Sequence, residues 1–170
     1  ARPNYLAQDR ADIQYACKEA SRRMSSPREA DWLMPKRIAR YLIGAPRFEQ
    51  KFVWQDAPEK ADAYTDSDWA GCKATWSSTS GGAITWGGGL LKSWSRTQGS
   101  IALSSGEAEF YAAIEGCAEG IGINSQMADL GMEVAVEVIQ DSTAAKGTAS
   151  MLGIGKIKHL QGGGCGSNRW

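Results

Sequence analysis

The sequence predicts an α/β chain (an α+β mixed sheet): a short strand meander with a helix packed back on it, preceded by a separate helical segment. Three observations carry this. Apolar residues recur at three- and four-residue steps through the first forty or so positions. From Asp62 the period changes to short runs with β-branched or aromatic content, punctuated by glycine. A sharply started helix then follows near Ser104, and after it another apolar run, Val134–Ile139. Strands in a run, a helix and a further strand make one layered domain.

The first helix is expected around Ile13, Ala16, Cys17, Ala20 and Met24, which form one apolar stripe. A second is expected from Ser26-Pro27-Arg28-Glu29. Serine can cap, proline suits the first helical position, and glutamate three residues on can reach back to the cap. Trp32, Leu33, Ile38, Tyr41 and Leu42 supply its apolar bulk. Pro35 falls inside it, and an interior proline costs about 3 kcal/mol, so a bend or a break is expected there. Residues 45–60, with Pro46, Pro58 and scattered charge, read as a connector.

Three strands are expected over Asp62–Trp69, Gly82–Trp86 and Leu90–Ser95, with Gly87-Gly88-Gly89 as a turn. Ser104-Ser105-Gly106-Glu107 has the capping-box spacing and opens the main helix. Phe110, Ile114, Cys117 and Ile121 follow at +4, +3 and +4 and are expected to form its buried stripe. Gly116, Gly120 and Gly122 each weaken a helix by up to about 1 kcal/mol relative to alanine, so its second half is expected to be irregular. Val134–Ile139 reads as a buried strand leading to Asp141, and Ser142–Ser150 as a short helix. The glycine-rich residues 162–170 show no periodicity and are expected to lack fixed structure.

At 170 residues the chain has about the length of one domain. With 42% hydrophobic and 22% charged residues, it is neither a disordered tail nor a coiled coil. No apolar run approaches the roughly 20 residues of a membrane span, so no membrane partner is expected. The chain opens on Ala1 with no signal peptide and is expected to be a fragment of a longer protein. Nineteen basic and nineteen acidic residues cancel, which excludes a uniformly basic nucleic-acid binder. The charge is uneven all the same. Residues 1–50 hold ten Lys/Arg against six Asp/Glu, and residues 51–130 hold five against ten, a division that points to two functional parts. Cys17, Cys72, Cys117 and Cys165 form no C-x-x-C pair, and His159 is the single imidazole, so a structural zinc site is excluded. The thiols read as reduced and intracellular.

Three carboxylates stand where chemistry could use them: Asp66 within the first strand, Glu109 near the first turn of the main helix and Asp141 after the last strand. Oxygen ligands from three elements can converge on Mg²⁺, and two such ions form a clamp for in-line phosphoryl chemistry. Each has a plainer reading. Asp66 could be a turn residue beside Asp68, Glu109 could favour the positive end of the helix dipole, and Asp141 could cap the next helix. Glu107 already has the capping-box spacing from Ser104, so Glu109 is not needed for that role. No phosphate-binding loop, nucleophile elbow or dinucleotide fingerprint is present.

At these residues the sequence resembles the ribonuclease H domain of copia-type retrotransposon Pol polyproteins. Tyr64-Thr65-Asp66-Ser67-Asp68-Trp69-Ala70-Gly71 resembles its opening strand, and Ser78-Thr79-Ser80-Gly81-Gly82 its S-T-S-G turn. Leu91-Lys92-Ser93-Trp94-Ser95, followed by Gln98, is similar to its third strand. The block from Ile101 to Ala112 is close to its most specific signature, A-L-S-S-x-E-A-E-Y. Gln140-Asp141-Ser142-Thr143-Ala144-Ala145 is similar to its C-D-N-x-S-A motif, and Lys158-His159-Leu160 to its K-H-I-D segment. Upstream, Tyr5–Ile13 resembles the Y-L-x-x-x-R-P-D-I stretch near the end of the reverse transcriptase, and Lys36–Gly44 its K-R-x-x-R-Y-L-x-G.

The resemblance implies a ribonuclease H-like fold, C-terminally truncated, with an N-terminal helical segment. Residues 1–44 correspond to the end of the reverse transcriptase, 45–60 to a connector, 61–161 to an incomplete ribonuclease H domain and 162–170 to a tail. It implies cleavage of the RNA strand of RNA–DNA hybrids during reverse transcription. Asp66, Glu109 and Asp141 match the family's first three catalytic, metal-binding carboxylates, and Mg²⁺ or Mn²⁺ is the implied cofactor. The implied partners are an RNA–DNA hybrid and the rest of the Pol polyprotein, in the cytoplasm, a virus-like particle or the nucleus. Oligomeric state is left open. Gln161 stands where K-H-I-D has aspartate, and the A-D-x-x-T-K motif that supplies the family's fourth carboxylate is absent, so impaired activity is expected. The alternative is a non-catalytic nucleic-acid-binding remnant or a decayed fragment.

Overall fold

The computed structural model describes residues 2–141. The expected helix over 142–150, the Lys158-His159-Leu160 segment and the 162–170 tail lie outside the described residues. The described residues divide into two compact units, residues 2–51 with Trp94–Arg96, and Phe52–Ser93 with residues 97–141.

The first unit holds helices α1 (Arg2–Asp9), α2 (Gln14–Ser21) and α3 (Leu33–Gly44), with 3₁₀ turns at Ala11–Ile13 and Glu29–Trp32. Its core is Ala7, Ile13, Cys17 and Ile38, edged by Ala20 and Leu42. The stripe expected in the first helix is therefore right at Ile13, Cys17 and Ala20, but Ala16 is exposed, and Met24 lies past the end of α2 and is 54% exposed. Ser26 caps nothing. Instead the Arg28 amide donates to Asp31 Oδ2 at 2.9 Å, and this opens a 3₁₀ turn at Glu29. Pro35 sits in the first turn of α3, where a backbone N–H has no helical partner to lose. The break expected at the proline is therefore absent: α3 runs on through Pro35 from Leu33 to Gly44, and the preceding 3₁₀ turn ends at Trp32.

A polar knot joins the two upstream motif stretches. The Arg10 guanidinium donates to both carboxylate oxygens of Asp12 at 2.9 and 2.7 Å, and to the Ala45 carbonyl at 3.0 Å. The Tyr41 hydroxyl donates to Asp12 Oδ2 at 2.7 Å. Hydrogen bonding from Arg10, then from Tyr41, holds the Asp12 carboxyl down to about 2.

β1 (Lys60–Asp68), β2 (Thr79–Trp86), β3 (Gly89–Thr97) and β4 (Ala135–Ile139) form one mixed sheet in the order β3-β2-β1-β4, and all of it but Trp94–Arg96 of β3 falls in the second unit. β2 and β3 are joined by a two-residue turn in which Gly87 takes φ +57°, a conformation that favours glycine. β1 pairs antiparallel with β2 and parallel with β4. A parallel neighbour needs a long crossover, and α4 (Ser105–Asp129) supplies it.

Alternation along β1 buries Ala61, Ala63 and Thr65. α4 packs on the sheet through Ala108, Ala112, Ala113, Gly116, Cys117, Gly120, Ile123 and Met127. This corrects the expected stripe: Cys117 belongs to it, while Ile114 is 42% exposed and Phe110 and Ile121 are only half-buried. It also corrects the expected irregularity, since α4 runs unbroken to Asp129. Both corrections have one cause. A Cβ on Gly116 would stand 2.3 Å from Thr65 Cγ2, and one on Gly120 would stand 2.8 Å from Val136 Cγ1. The glycines let the helix backbone settle onto the sheet, and the packing outweighs their poor helix propensity. Among the described residues no helix is long and apolar enough to cross a membrane.

Candidate metal centre

The register of β1 on β4 brings two of the carboxylates together. Lys60 pairs with Ala135 and the pairing runs in step to Tyr64 and Ile139. Asp66 and Asp141 each lie two residues beyond that last pair, at the same level of two neighbouring strands. Such strands run about 4.8 Å apart.

The third carboxylate comes from α4. Ser104 Oγ accepts from the Glu107 amide at 3.1 Å, and Glu107 Oε2 accepts from the Leu103 amide at 2.8 Å, so the helix start is capped from both sides. Gln98 Nε2 donates to the Ala108 carbonyl at 2.8 Å and so ties the helix start to the residue that follows β3. Glu109 stands next in line, and Glu107, not Glu109, does the capping.

Asp66, Glu109 and Asp141 each offer an oxygen, and these oxygens all lie within 4.8 Å of one another. Asp66 and Asp141 are exposed and Glu109 is half-buried, so the cluster opens to solvent. Asp66 stands in a strand, but because it is exposed no charge is buried there. The plainer reading of Asp66 as a turn residue fails, since it pairs with Gly81 within the sheet. Asp68, two residues on, is not in the cluster.

Both oxygens of Glu109 are held. Oε1 accepts from the Ser67 amide at 3.3 Å. Oε2 accepts from Gln140 Nε2 at 3.0 Å, and the same Nε2 donates to the Glu109 carbonyl at 2.7 Å. The groups that orient Glu109 are thus the chain neighbours of Asp66 and Asp141. Sequence reasoning missed both. A signal for Gln140 was available, since two-residue alternation from Val134 and Val136 places it on the buried face of the strand, where a carboxamide needs a partner.

The donor set fits a hard divalent cation. It is all carboxylate oxygen, from three elements, without histidine or thiolate. Octahedral coordination at roughly 2.1 Å puts ligand oxygens about 3–4 Å apart. Small side-chain rotations would bring the three oxygens into that range.

No family model matches the chain. It is 37% identical over 109 residues to an uncharacterized mitochondrial protein of Arabidopsis thaliana, covering 64% of this chain and 45% of that one. It is 35% identical over 130 residues to the retrovirus-related Pol polyprotein from transposon RE1 of Arabidopsis thaliana, covering 76% of this chain and 9% of that one. It is 33% identical over 112 residues to the secreted RxLR effector protein 161 of Plasmopara viticola, covering 66% of this chain and 78% of that one. Among solved structures, it is similar to a ribonuclease H1 isolated from compost by a metagenomic approach, with a TM-score of 0.45 and 22% identity over 61% of this chain and 76% of that one. The chain thus spans under half of the mitochondrial protein and about a tenth of the Pol polyprotein.

Proposed function

Since this chain belongs to the copia-type retrotransposon Pol family, we propose that its second unit is a ribonuclease H that cleaves the RNA strand of RNA–DNA hybrids during reverse transcription. One observation carries the reading: the three carboxylates that match the family's motifs lie within 4.8 Å of one another at one end of the sheet. Asp66, Glu109 and Asp141 would hold Mg²⁺ or Mn²⁺. A divalent cation held by them would activate water and offset charge on the phosphate. The protein's share is to present carboxylates from a rigid sheet and a capped helix, with Glu109 oriented by Ser67 and Gln140. In this reading residues 1–44 are the end of the reverse transcriptase, 45–60 a connector and 61–161 the ribonuclease H domain. The hybrid is read by its shape and its 2′-hydroxyls, without sequence preference.

The test is Mg²⁺-dependent cleavage of an end-labelled RNA–DNA hybrid. The expected result is shortening of the RNA strand alone, abolished by EDTA and by Asp66→Asn, Glu109→Gln or Asp141→Asn. Hybrid binding that weakens with salt, without any metal-dependent cleavage, would instead establish the non-catalytic remnant.

A further inference from the structure

We infer that Gln140 is a positioning residue of the acidic site: its carboxamide pins Glu109 to the end of β4, setting which carboxylate lone pairs face the cation. The inference rests on the metal-site reading above and adds a residue that the metal-ligating motif does not contain.

Gln140 is 6% exposed, so its carboxamide has little water to turn to. Its single Nε2 reaches two oxygens of one residue, the carbonyl and Oε2 of Glu109. Two contacts to one residue fix both the place of the backbone and the rotamer of the side chain. The Ser67 amide on Oε1 closes the clamp from the β1 side. A carboxylate held at both oxygens in this way is kept from swinging out toward solvent when the cation is absent. Hydrogen-bonded supports of this kind commonly change metal affinity by about 10–100-fold when removed. The residue's place just past the strand explains why this task falls to it. Asp141 is exposed two residues beyond the end of β4, and Gln140 between them continues the inward-facing alternation of Val134 and Val136. Cysteine, which the resembling C-D-N motif carries there, has no amide donor and could not make the same pair of bonds.

The experiment measures Mn²⁺ binding by the whole chain, from the free-ion electron paramagnetic resonance signal, beside its thermal unfolding in EDTA. Gln140→Met keeps the volume and removes the donor. The expected result is Mn²⁺ affinity lowered about tenfold, with a cooperative melt retained in EDTA. Unchanged affinity in folded Gln140→Met overturns the inference. If that variant does not fold, Gln140→Asn, which keeps the donor but draws it back by one methylene, is read in the same way. Glu109→Gln separates the two levels of argument. If the unaltered chain binds Mn²⁺ and Glu109→Gln binds it equally well, the metal-site reading itself fails and the inference falls with it. If Glu109→Gln abolishes binding and Gln140→Met leaves it intact, only the positioning role is lost.

Discussion

Gly120 of α4 lies so close to Val136 of β4 that an added Cβ would stand 2.8 Å from Val136 Cγ1 and 3.3 Å from Val136 Cβ. The second distance decides the matter, because rotating the valine moves Cγ1 but leaves its Cβ in place. Alanine at 120 would gain up to about 1 kcal/mol of helix propensity. Overpacking a tight contact costs about 1–3 kcal/mol. Gly120→Ala is therefore expected to destabilise on balance. Gly122 has nothing within 4 Å of its would-be Cβ, so Gly122→Ala should gain the propensity without the clash. Urea unfolding of the two variants should move the midpoint in opposite directions. Equal shifts would mean that α4 does not rest on the sheet through Gly120.

Gln98 offers a second test of how the helix start is held. Its Nε2 donates to the Ala108 carbonyl at 2.8 Å and to Ser80 Oγ at 3.0 Å. Each such bond contributes about 0.5–1.5 kcal/mol net, so Gln98→Met is expected to cost about 1–3 kcal/mol, read from thermal or denaturant unfolding. Its bonds end on the Ala108 carbonyl and the Ser80 hydroxyl, not on a carboxylate. The loss should therefore appear in stability, with Mn²⁺ affinity much less affected than in Gln140→Met.

The strands and the candidate ligands were legible in the sequence, because both are local patterns. Two-residue alternation marks Ala61, Ala63 and Thr65 as one face, and the motif blocks carry Asp66, Glu109 and Asp141. The convergence of Asp66 and Asp141 follows from a parallel register seventy-five residues apart, and that of Glu109 from the packing of α4 on the same sheet, neither of which a local pattern records. The buried face of α4 was misread for a related reason. Hydrophobic periodicity selects the largest apolar residues, Phe110, Ile114 and Ile121, whereas close approach to the sheet selects the smallest, Ala112, Gly116 and Gly120. Helix α1 was missed because Arg2–Asp9 buries only Ala7 in its core, too little to mark a stripe.

Acid should weaken the first unit through Asp12. Its carboxyl lies at about 2 in the folded chain against an ordinary value of 3.8, held down first by the Arg10 hydrogen bond. A carboxyl lowered on folding contributes stability that is complete above its unfolded value and lost as pH falls through its folded one. The contribution of Asp12 should thus be fully present above about pH 5 and fade toward pH 2. Comparing the chain with Asp12→Asn, the difference in Tm is expected to be largest near neutrality and to shrink steadily below pH 4. A difference that stays constant across that range would show that the Arg10–Asp12–Tyr41 knot does not stabilise the fold through charge.

The cluster also predicts a metal-linked stability. Three carboxylates within 4.8 Å of one another repel, and among the described residues no Lys or Arg side chain forms an ion pair with any of them. A cation that binds the folded chain and not the unfolded one stabilises it by about 2.7 kcal/mol at one hundred times its Kd. Titrating Mg²⁺ should therefore raise Tm, and EDTA should return it. Asp66→Asn removes one ligand and one of the repelling charges. It is expected to melt at or above the temperature of the unaltered chain in EDTA, because like-charge repulsion is relieved, and to lose most of the rise with Mg²⁺. NaCl at the same ionic strength separates a metal centre from a screened acidic patch, since screening by a monovalent salt should not reproduce the rise given by Mg²⁺. An equal Mg²⁺-dependent rise in the two would show that the three carboxylates do not act together on a cation.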